Sequence, residues 1–353
     1  MRKFAVFSGF LGSGKTTTMM ALTKYHTAHH GKAAMISNDL GHGVSLADDR
    51  FARLSGCSAS QITDDCICYV NEQLADRLNA YYDDGFELVV SDIPGFGVGA
   101  LEHVYHGLTE KFPGQFELAP FTVLVEPKTI DLLRNGHGGD QEYLYNTQLV
   151  EADLIVLNKC DLLDDAQREA DAAWLKEHYP LASVIAISAR EGEGLEELSQ
   201  ALIKSKASMR CPDIGYGGEA FQHAMGKISE YYIQYRAVVC CNDFDGNAYL
   251  LDMACAVQDG IREAGRLIPH LKLLAWEPEG DFGKVDLIGT EREIEVTQRF
   301  ERPCTDIAVI LNASAACPVD TLEKILAGAI NSVSDRYLLE LTVFKKEGLA
   351  MGG

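Results

Sequence analysis

The segment Gly9-Phe10-Leu11-Gly12-Ser13-Gly14-Lys15-Thr16 carries the spacing G-x-x-x-x-G-K-[ST]. Glycines in that pattern let backbone N–H groups converge on phosphate oxygens at a helix N-terminus, with Lys15 bridging the outer phosphates and Thr16 ligating Mg²⁺. Asp92-Ile93-Pro94-Gly95 has the form D-x-x-G, in which Asp92 holds Mg²⁺ directly or through water and the Gly95 N–H meets the γ-phosphate. The glycine-rich run Gly95-Phe96-Gly97-Val98-Gly99 can then reorder when that phosphate leaves. Asn158-Lys159-Cys160-Asp161 reads the base. A carboxylate at Asp161 accepts from the N1–H and 2-amino group of guanine, donors that adenine lacks, while Asn158 and the stem of Lys159 brace the base. Ser188-Ala189-Arg190 completes the set with backbone placed for the guanine carbonyl. The expected chemistry is hydrolysis of GTP to GDP and phosphate. Lys15, Asp92 and Mg²⁺ would act on the developing charge, with Asp39 the leading candidate to position water.

These motifs need strand ends to hold them. Short apolar runs at 4–7, 33–36, 88–90, 121–125, 154–157 and 184–187 alternate with helical patterns such as 16–30, 72–82 and 165–178, the sequence form of a parallel sheet with crossover helices. Near-continuous apolarity fits strands buried on both faces. The expected fold is therefore α/β: a P-loop NTPase domain over 1–205, with a mostly parallel sheet and helices on both faces. Residues 206–224, with Pro212 and several glycines, read as a linker. Beyond it, 225–353 reads as a smaller α+β unit: a strand at 230–241, a helix at 246–267, strands in 284–299 and 306–312, a helix at 319–331 and a strand at 337–344. That order is of ferredoxin-like type.

Composition narrows the partners. A formal charge of −21 over 353 residues repels phosphate backbones and anionic lipid, so neither nucleic acid nor a membrane is expected as a partner. The N-terminus runs straight into the glycine-rich motif with no signal-like segment, and no apolar stretch reaches membrane-spanning length. Ten cysteines scattered through the chain argue for thiols or metal ligands over a disulfide framework, and the expected compartment is cytoplasmic.

The sequence resembles the CobW/HypB/UreG family of metal-centre GTPases, most closely its CobW-like branch. Gly9 to Thr17, Asn38-Asp39, Cys66-Ile67-Cys68, Gln148 ahead of Ala152-Asp153, and Asn158 to Asp161 carry the resemblance. It implies Thr17 beside Thr16 in the nucleotide site, Asp39 and Asp92 near Mg²⁺, and the handling of a metal ion for a client, coupled to GTP. Departures from the family pattern are Asn38-Asp39 for Asn-Glu, Asp92 leading a segment usually led by glutamate, Glu126-Pro127 for an aspartate-led pair, and Cys66-Ile67-Cys68-Tyr69 for Cys-x-Cys-Cys. Cys57, nine residues before Cys66, can supply a third sulfur for Zn²⁺, Co²⁺ or another thiophilic ion. The alternative reading of Cys57, Cys66 and Cys68 is plain core packing.

Histidines at 26, 29 and 30 read as a cationic helix end, and His103 and His106 as a solvated face. Two functions stay open. One is a GTPase metallochaperone delivering an ion to a client metalloprotein; the other is a GTPase gating the loading or repair of a corrinoid-type cofactor on a client enzyme without carrying free metal. The resemblance also implies a GTP-dependent homodimer.

Overall fold

The computed structural model describes residues 2–95, 97–136, 139–240, 242–265, 270–289 and 294–350. Phe96, His137, Gly138, Cys241 and the 266–267 end of the expected helix lie outside those residues. The chain divides into two compact units, one made of Met1–Leu40 and Gly56–Ala224, the other of Gly41–Ser55 and Met225–Gly353.

In chain order the elements are β1 (Lys3–Ser8), α1 (Lys15–His29), β2 (Ala33–Asn38), α2 (Ala47–Leu54), β3 (Ala59–Ile62), α3 (Asn71–Asp83) and β4 (Leu88–Asp92). A π-helical turn, Leu101–His106, leads into α4 (Gly107–Lys111), β5 (Glu117–Leu118), β6 (Thr122–Val125), α5 (Pro127–Asn135), α6 (Asp140–Glu151) and β7 (Leu154–Leu157). Next come α7 (Asp165–His178), β8 (Ser183–Ala186), α8 (Leu195–Lys204) and α9 (Glu219–Met225). The remaining elements are β9 (Ser229–Val239), α10 (Gly246–Glu263), β10 (His270–Trp276), β11 (Phe282–Leu287), β12 (Glu295–Gln298), β13 (Asp306–Ala315), α11 (Val319–Arg336) and β14 (Leu339–Ala350).

The first unit is built on a parallel sheet of order β3-β2-β4-β1-β6-β7-β8, with β5 beside β1. Every residue of β1, β2, β4, β6 and β7 is buried, which is why these strands read as unbroken apolar runs. Register sets the site: Phe7 pairs with Asp92 and Ser8 with Val123, so the chain leaves β1, β4, β6 and β7 at neighbouring points on one edge, where ligands bind in such sheets. The buried Tyr105 hydroxyl accepts from Val6 N at 2.9 Å, tying the π-helical turn to β1.

The second unit carries an antiparallel sheet of order β12-β11-β10-β13-β9-β14. Its β14-β9-β13-β10 strands with α10 and α11 have the ferredoxin-like order, extended by β11 and β12. The sequence reading ran a helix to 267 and missed β10. Its stretch Leu271-Lys272-Leu273-Leu274-Ala275 is good helix composition, but antiparallel pairing with β11 on one side and β13 on the other decides the strand.

Gly41–Ser55 belongs to this second unit. Ala47 N donates to Asn312 Oδ1 at 3.0 Å, the Phe51 ring lies 6.1 Å from Phe282, and Arg50 sits 4.6 Å over the ring of Trp276. Asp48 is buried and paired with Lys272. Burial alone pushes its carboxyl up, but Lys272, helped by Lys284 and His270, pulls it well below the usual carboxylate range. The pair therefore stabilises the fold above the ordinary aspartate range and loses that contribution only in strong acid. Lys272→Met, which strands a buried charge, is expected to lower the unfolding free energy by about 3–5 kcal/mol at neutral pH. Asp48→Asn/Lys272→Met should recover most of that loss in urea unfolding, and a double variant as weak as the single one would refute the pairing.

Candidate functional site

The phosphate loop is bent by glycines with no room for a side chain. Gly9 has φ +131° and a Cβ there would sit 2.5 Å from Leu124 O; Gly14 has φ +91° and its Cβ would meet Asn158 Nδ2 at 2.3 Å. Gly12 is left-handed as well, at φ +84°. Lys15 Nζ donates to Gly9 O at 2.5 Å, which folds the lysine back over the loop. Ser13 is buried, and its Oγ has no hydrogen-bond partner among the described residues. Thr16 is half-buried and Thr17 exposed.

Asn158 ties the segments after β7 and β8 to this loop. Its Nδ2 donates to Ser13 O at 2.9 Å, and its Oδ1 accepts from Ala189 N at 3.1 Å. Lys159 takes a left-handed φ of +63° and pairs with the buried Glu126 at 2.9 Å. Asp161 Oδ1 accepts from Ser188 Oγ at 2.6 Å, so the carboxylate is oriented before any base arrives.

Around Asp92 the decisive residue is Asn38. Its N–H donates to Asp92 Oδ1 at 2.9 Å. Its side-chain amide donates to Ile62 O at 3.1 Å and Asp65 O at 2.9 Å, and its Oδ1 accepts from Ile67 N at 3.0 Å. One side chain thus fixes the turn holding Cys66 and Cys68 to the strand end beside Asp92. The two thiols lie 2.7 Å apart, sulfur to sulfur. The hydrogen bond from Cys66, followed by burial, holds the Cys68 thiol well above its usual range. Asp39 is half-buried, its N–H directed to Ile62 O at 3.3 Å.

The family model for the CobW/HypB/UreG nucleotide-binding domain matches residues 3–186, just over half of the chain. The chain belongs to that family. A curated relative, the zinc chaperone YeiR of Escherichia coli strain K12, is 27% identical over 186 residues, covering 50% of this chain and 52% of its own length. This chain thus spans about half the length of that relative. Among solved structures, HypB from Helicobacter pylori in complex with nickel is 20% identical with a TM-score of 0.41, covering 57% of this chain and 86% of its own. The Zn(II)-bound YjiA GTPase from E. coli is 16% identical with a TM-score of 0.36, covering 94% and 98%.

Several sequence expectations part from the geometry. Cys57 does not join the pair: its sulfur lies 4.0 Å from Thr23 Oγ1 and 4.0 Å from Met20 O, both on α1. The eight residues between Cys57 and Cys66 include β3, and the strand carries the cysteines apart. Among the described residues no three His, Cys, Asp or Glu side chains converge closely enough to hold an ion as they stand. His26 is buried, 3.0 Å from Ser199 Oγ, and burial lowers its pKa, so it is a neutral core histidine and not part of a cationic helix end. His103 and His106, read as a solvated face, line a cavity beside Cys68. Glu126, which stood out in the sequence only as leading the pair at 126–127, partners Lys159; Asn71 and Glu151 had no sequence signal.

Two residues of α6 hold the glycine-rich run after Asp92. Gln148 Nε2 donates to Gly95 O at 3.1 Å and Gly97 O at 3.0 Å; Glu151 Oε2 accepts from Gly99 N at 2.7 Å. Burial nevertheless pushes Glu151 up to about 7, against the pull of the Gly99 and Leu101 N–H groups. A carboxyl raised in the fold binds its proton more tightly folded than unfolded, so stability falls as pH rises from about 4.5 to 7. The cost is about 3 kcal/mol above that window. Glu151→Gln, neutral throughout, should remove this slope from urea unfolding measured between those limits, and parallel pH profiles for variant and wild type would refute it.

Proposed function

We propose that this chain is a GTP-hydrolysing switch that carries a thiophilic metal ion for a client protein. The observation that carries the reading is the Asn38 bracket, which joins Asp92, the residue this reading assigns to Mg²⁺, to the turn bearing Cys66 and Cys68. A change at Asp92 is a change in the support of the cysteine turn, through bonds of ordinary length.

The hydroxyl and carboxylate oxygens of Thr16 and Asp92 are hard donors suited to Mg²⁺, with Asp39 next along the chain. When bound, that ion supplies charge neutralisation on the outer phosphates. The chain's own groups do the rest. Backbone N–H groups from Gly12 to Thr16 cradle phosphate, Lys15 exchanges Gly9 O for phosphate oxygen, the Gly95 N–H faces the γ-phosphate, and Asp39 orients water. Asp161 accepts from guanine, with Ser188 donating to its other flank and Ala189 held by Asn158 for the base carbonyl. The metal ion is cargo, and its soft sulfur ligands suit Zn²⁺ or Co²⁺ over Mg²⁺. The zinc chaperone relative supports that choice of ion. Transfer to a client, and a dimer in the GTP state, belong to this reading, and membership of the family supports them.

Asp161→Asn is expected to weaken guanine nucleotide binding about tenfold to a hundredfold, the worth of a charge-assisted hydrogen bond, with no gain for ATP. Equal binding of ATP and GTP by the wild type would overturn the guanine assignment. Anaerobic Co²⁺ titration of the reduced protein should show cobalt–thiolate absorption that differs between GDP and a non-hydrolysable GTP analogue and vanishes in Cys66→Ser/Cys68→Ser. Absorption blind to nucleotide would overturn the switch.

A further inference from the structure

The family's third motif cysteine is Tyr69 in this chain, and the structure shows what Tyr69 does instead. Its ring is 55% exposed, lies 5.9 Å from that of His103, and its hydroxyl is hydrogen-bonded to that of Tyr216. Tyr216 in turn lies 4.7 Å from the His103 ring. The tyrosine therefore does not fill a ligand's place with inert bulk; it clamps a histidine and a distant segment beside the two remaining cysteines.

Behind that clamp is a cavity of about 390 Å³ lined by Cys68, Glu102, His103, His106, Glu110 and Cys211. Cys211 comes from the stretch read as a linker, yet the chain leading to it is pinned. Ala207 N donates to Leu118 O at 3.0 Å, Ser208 Oγ to Asp153 Oδ1 at 2.5 Å, and Arg210 to Ala152 O. The Met209 carbonyl is bonded to His106 Nε2 at 2.9 Å, and Met209 itself sits at φ +56°. A methionine held in a left-handed conformation costs about 1 kcal/mol. These ties together set the exposed thiol of Cys211 at the cavity.

His103 is held on the same frame as the cysteine turn. Asn71 Nδ2 donates to His103 O at 3.2 Å and to Ile67 O at 3.2 Å, and Gly107 leaves the space that Asn71 occupies, since a Cβ there would meet its Oδ1 at 2.3 Å. The His103 Nε2 atom is buried with no hydrogen-bond partner among the described residues. A buried imidazole nitrogen left without a partner is costly unless something else satisfies it.

We infer that Cys211 and His103 complete the ion site in this chain, giving Cys66, Cys68, Cys211 and His103 as a tetrahedral three-sulfur, one-nitrogen set for Zn²⁺ or Co²⁺. The inference rests on the metal-carrying reading above and names the ligands of that same site. The four groups do not yet converge. The Cys66 and Cys68 sulfurs, 2.7 Å apart, must open to about 3.8 Å, the edge of a tetrahedron with Zn–S bonds of about 2.3 Å. Cys211, exposed at the cavity, closes onto the ion. On binding, each thiol releases its proton to solvent as its sulfur takes up the metal. The missing thiolate of the motif is thereby supplied from 142 residues beyond Tyr69.

The test is anaerobic Co²⁺ titration of the reduced full chain, comparing wild type with Cys211→Ser, His103→Ala, Cys57→Ser and Cys66→Ser/Cys68→Ser. Cys211→Ser should lose about a third of the cobalt–thiolate absorption, one sulfur of three, and weaken Co²⁺ about tenfold or more. His103→Ala should shift the ligand-field bands while keeping the thiolate intensity, and Cys57→Ser should match wild type. Cys211→Ser matching wild type, while the Cys66/Cys68 variant loses the signal, overturns this ligand set and leaves the metal-carrying reading standing. Loss of a third of the signal in Cys57→Ser also overturns it, in favour of that thiol. No signal in the wild type sinks the metal-carrying reading itself.

Discussion

Asn38 engages its backbone N–H and both polar atoms of its side chain at one point beside Asp92. Its backbone donates to Asp92, and its side chain is fully engaged by Ile62, Asp65 and Ile67. It is buried at the end of β2, where an unmet amide would cost about 1–3 kcal/mol. The turn carrying the cysteines is therefore not free to choose its own conformation. The strand end at Asp92 and the turn at Ile67 are joined by the buried hydrogen bonds of this one residue.

Asn158 plays the matching part on the other side of the phosphate loop. It reaches Ser13 O and Ala189 N, and its amide occupies the space that a side chain at Gly14 would need. A glycine required by a neighbouring asparagine is a tertiary constraint written into a local motif. The same logic joins Gly107 to Asn71 in the cysteine frame, and Gly95 to Leu11, whose Cδ2 a Cβ would meet at 2.5 Å. Both asparagines brace loops whose carbonyls and N–H groups no strand or helix would otherwise satisfy.

The chain that follows Asn38-Asp39 enters Gly41–Ser55, which belongs to the second unit and is fastened there by Asp48 to Lys272 and by Ala47 to Asn312. A segment adjacent in sequence to the nucleotide site thus takes its structure from the ferredoxin-like unit.

The sequence by itself determined the parallel sheet and the glycine-bent loop after β1, and it placed Asn158 to Asp161 at the end of β7, because each is set by local spacing: apolar runs buried on both faces, glycines at fixed offsets, and a motif at a strand end. It also placed two of the cysteines together, since Cys66 and Cys68 are neighbours on one turn. It could not assign Cys57, whose sulfur lies against α1, nor see His103, which looked like one of two solvated histidines but is half-buried in the structure, with its Nε2 atom covered. β10 was hidden by helix-like composition and decided by its strand partners, β11 just downstream and β13 far along the chain, from Trp276 with Ala308 to His270 with Ser314. The entry of Gly41–Ser55 into the second unit and the approach of Cys211 to Cys68 depend on contacts far apart in the chain. Local periodicity is silent on those, and only the packed fold decides them.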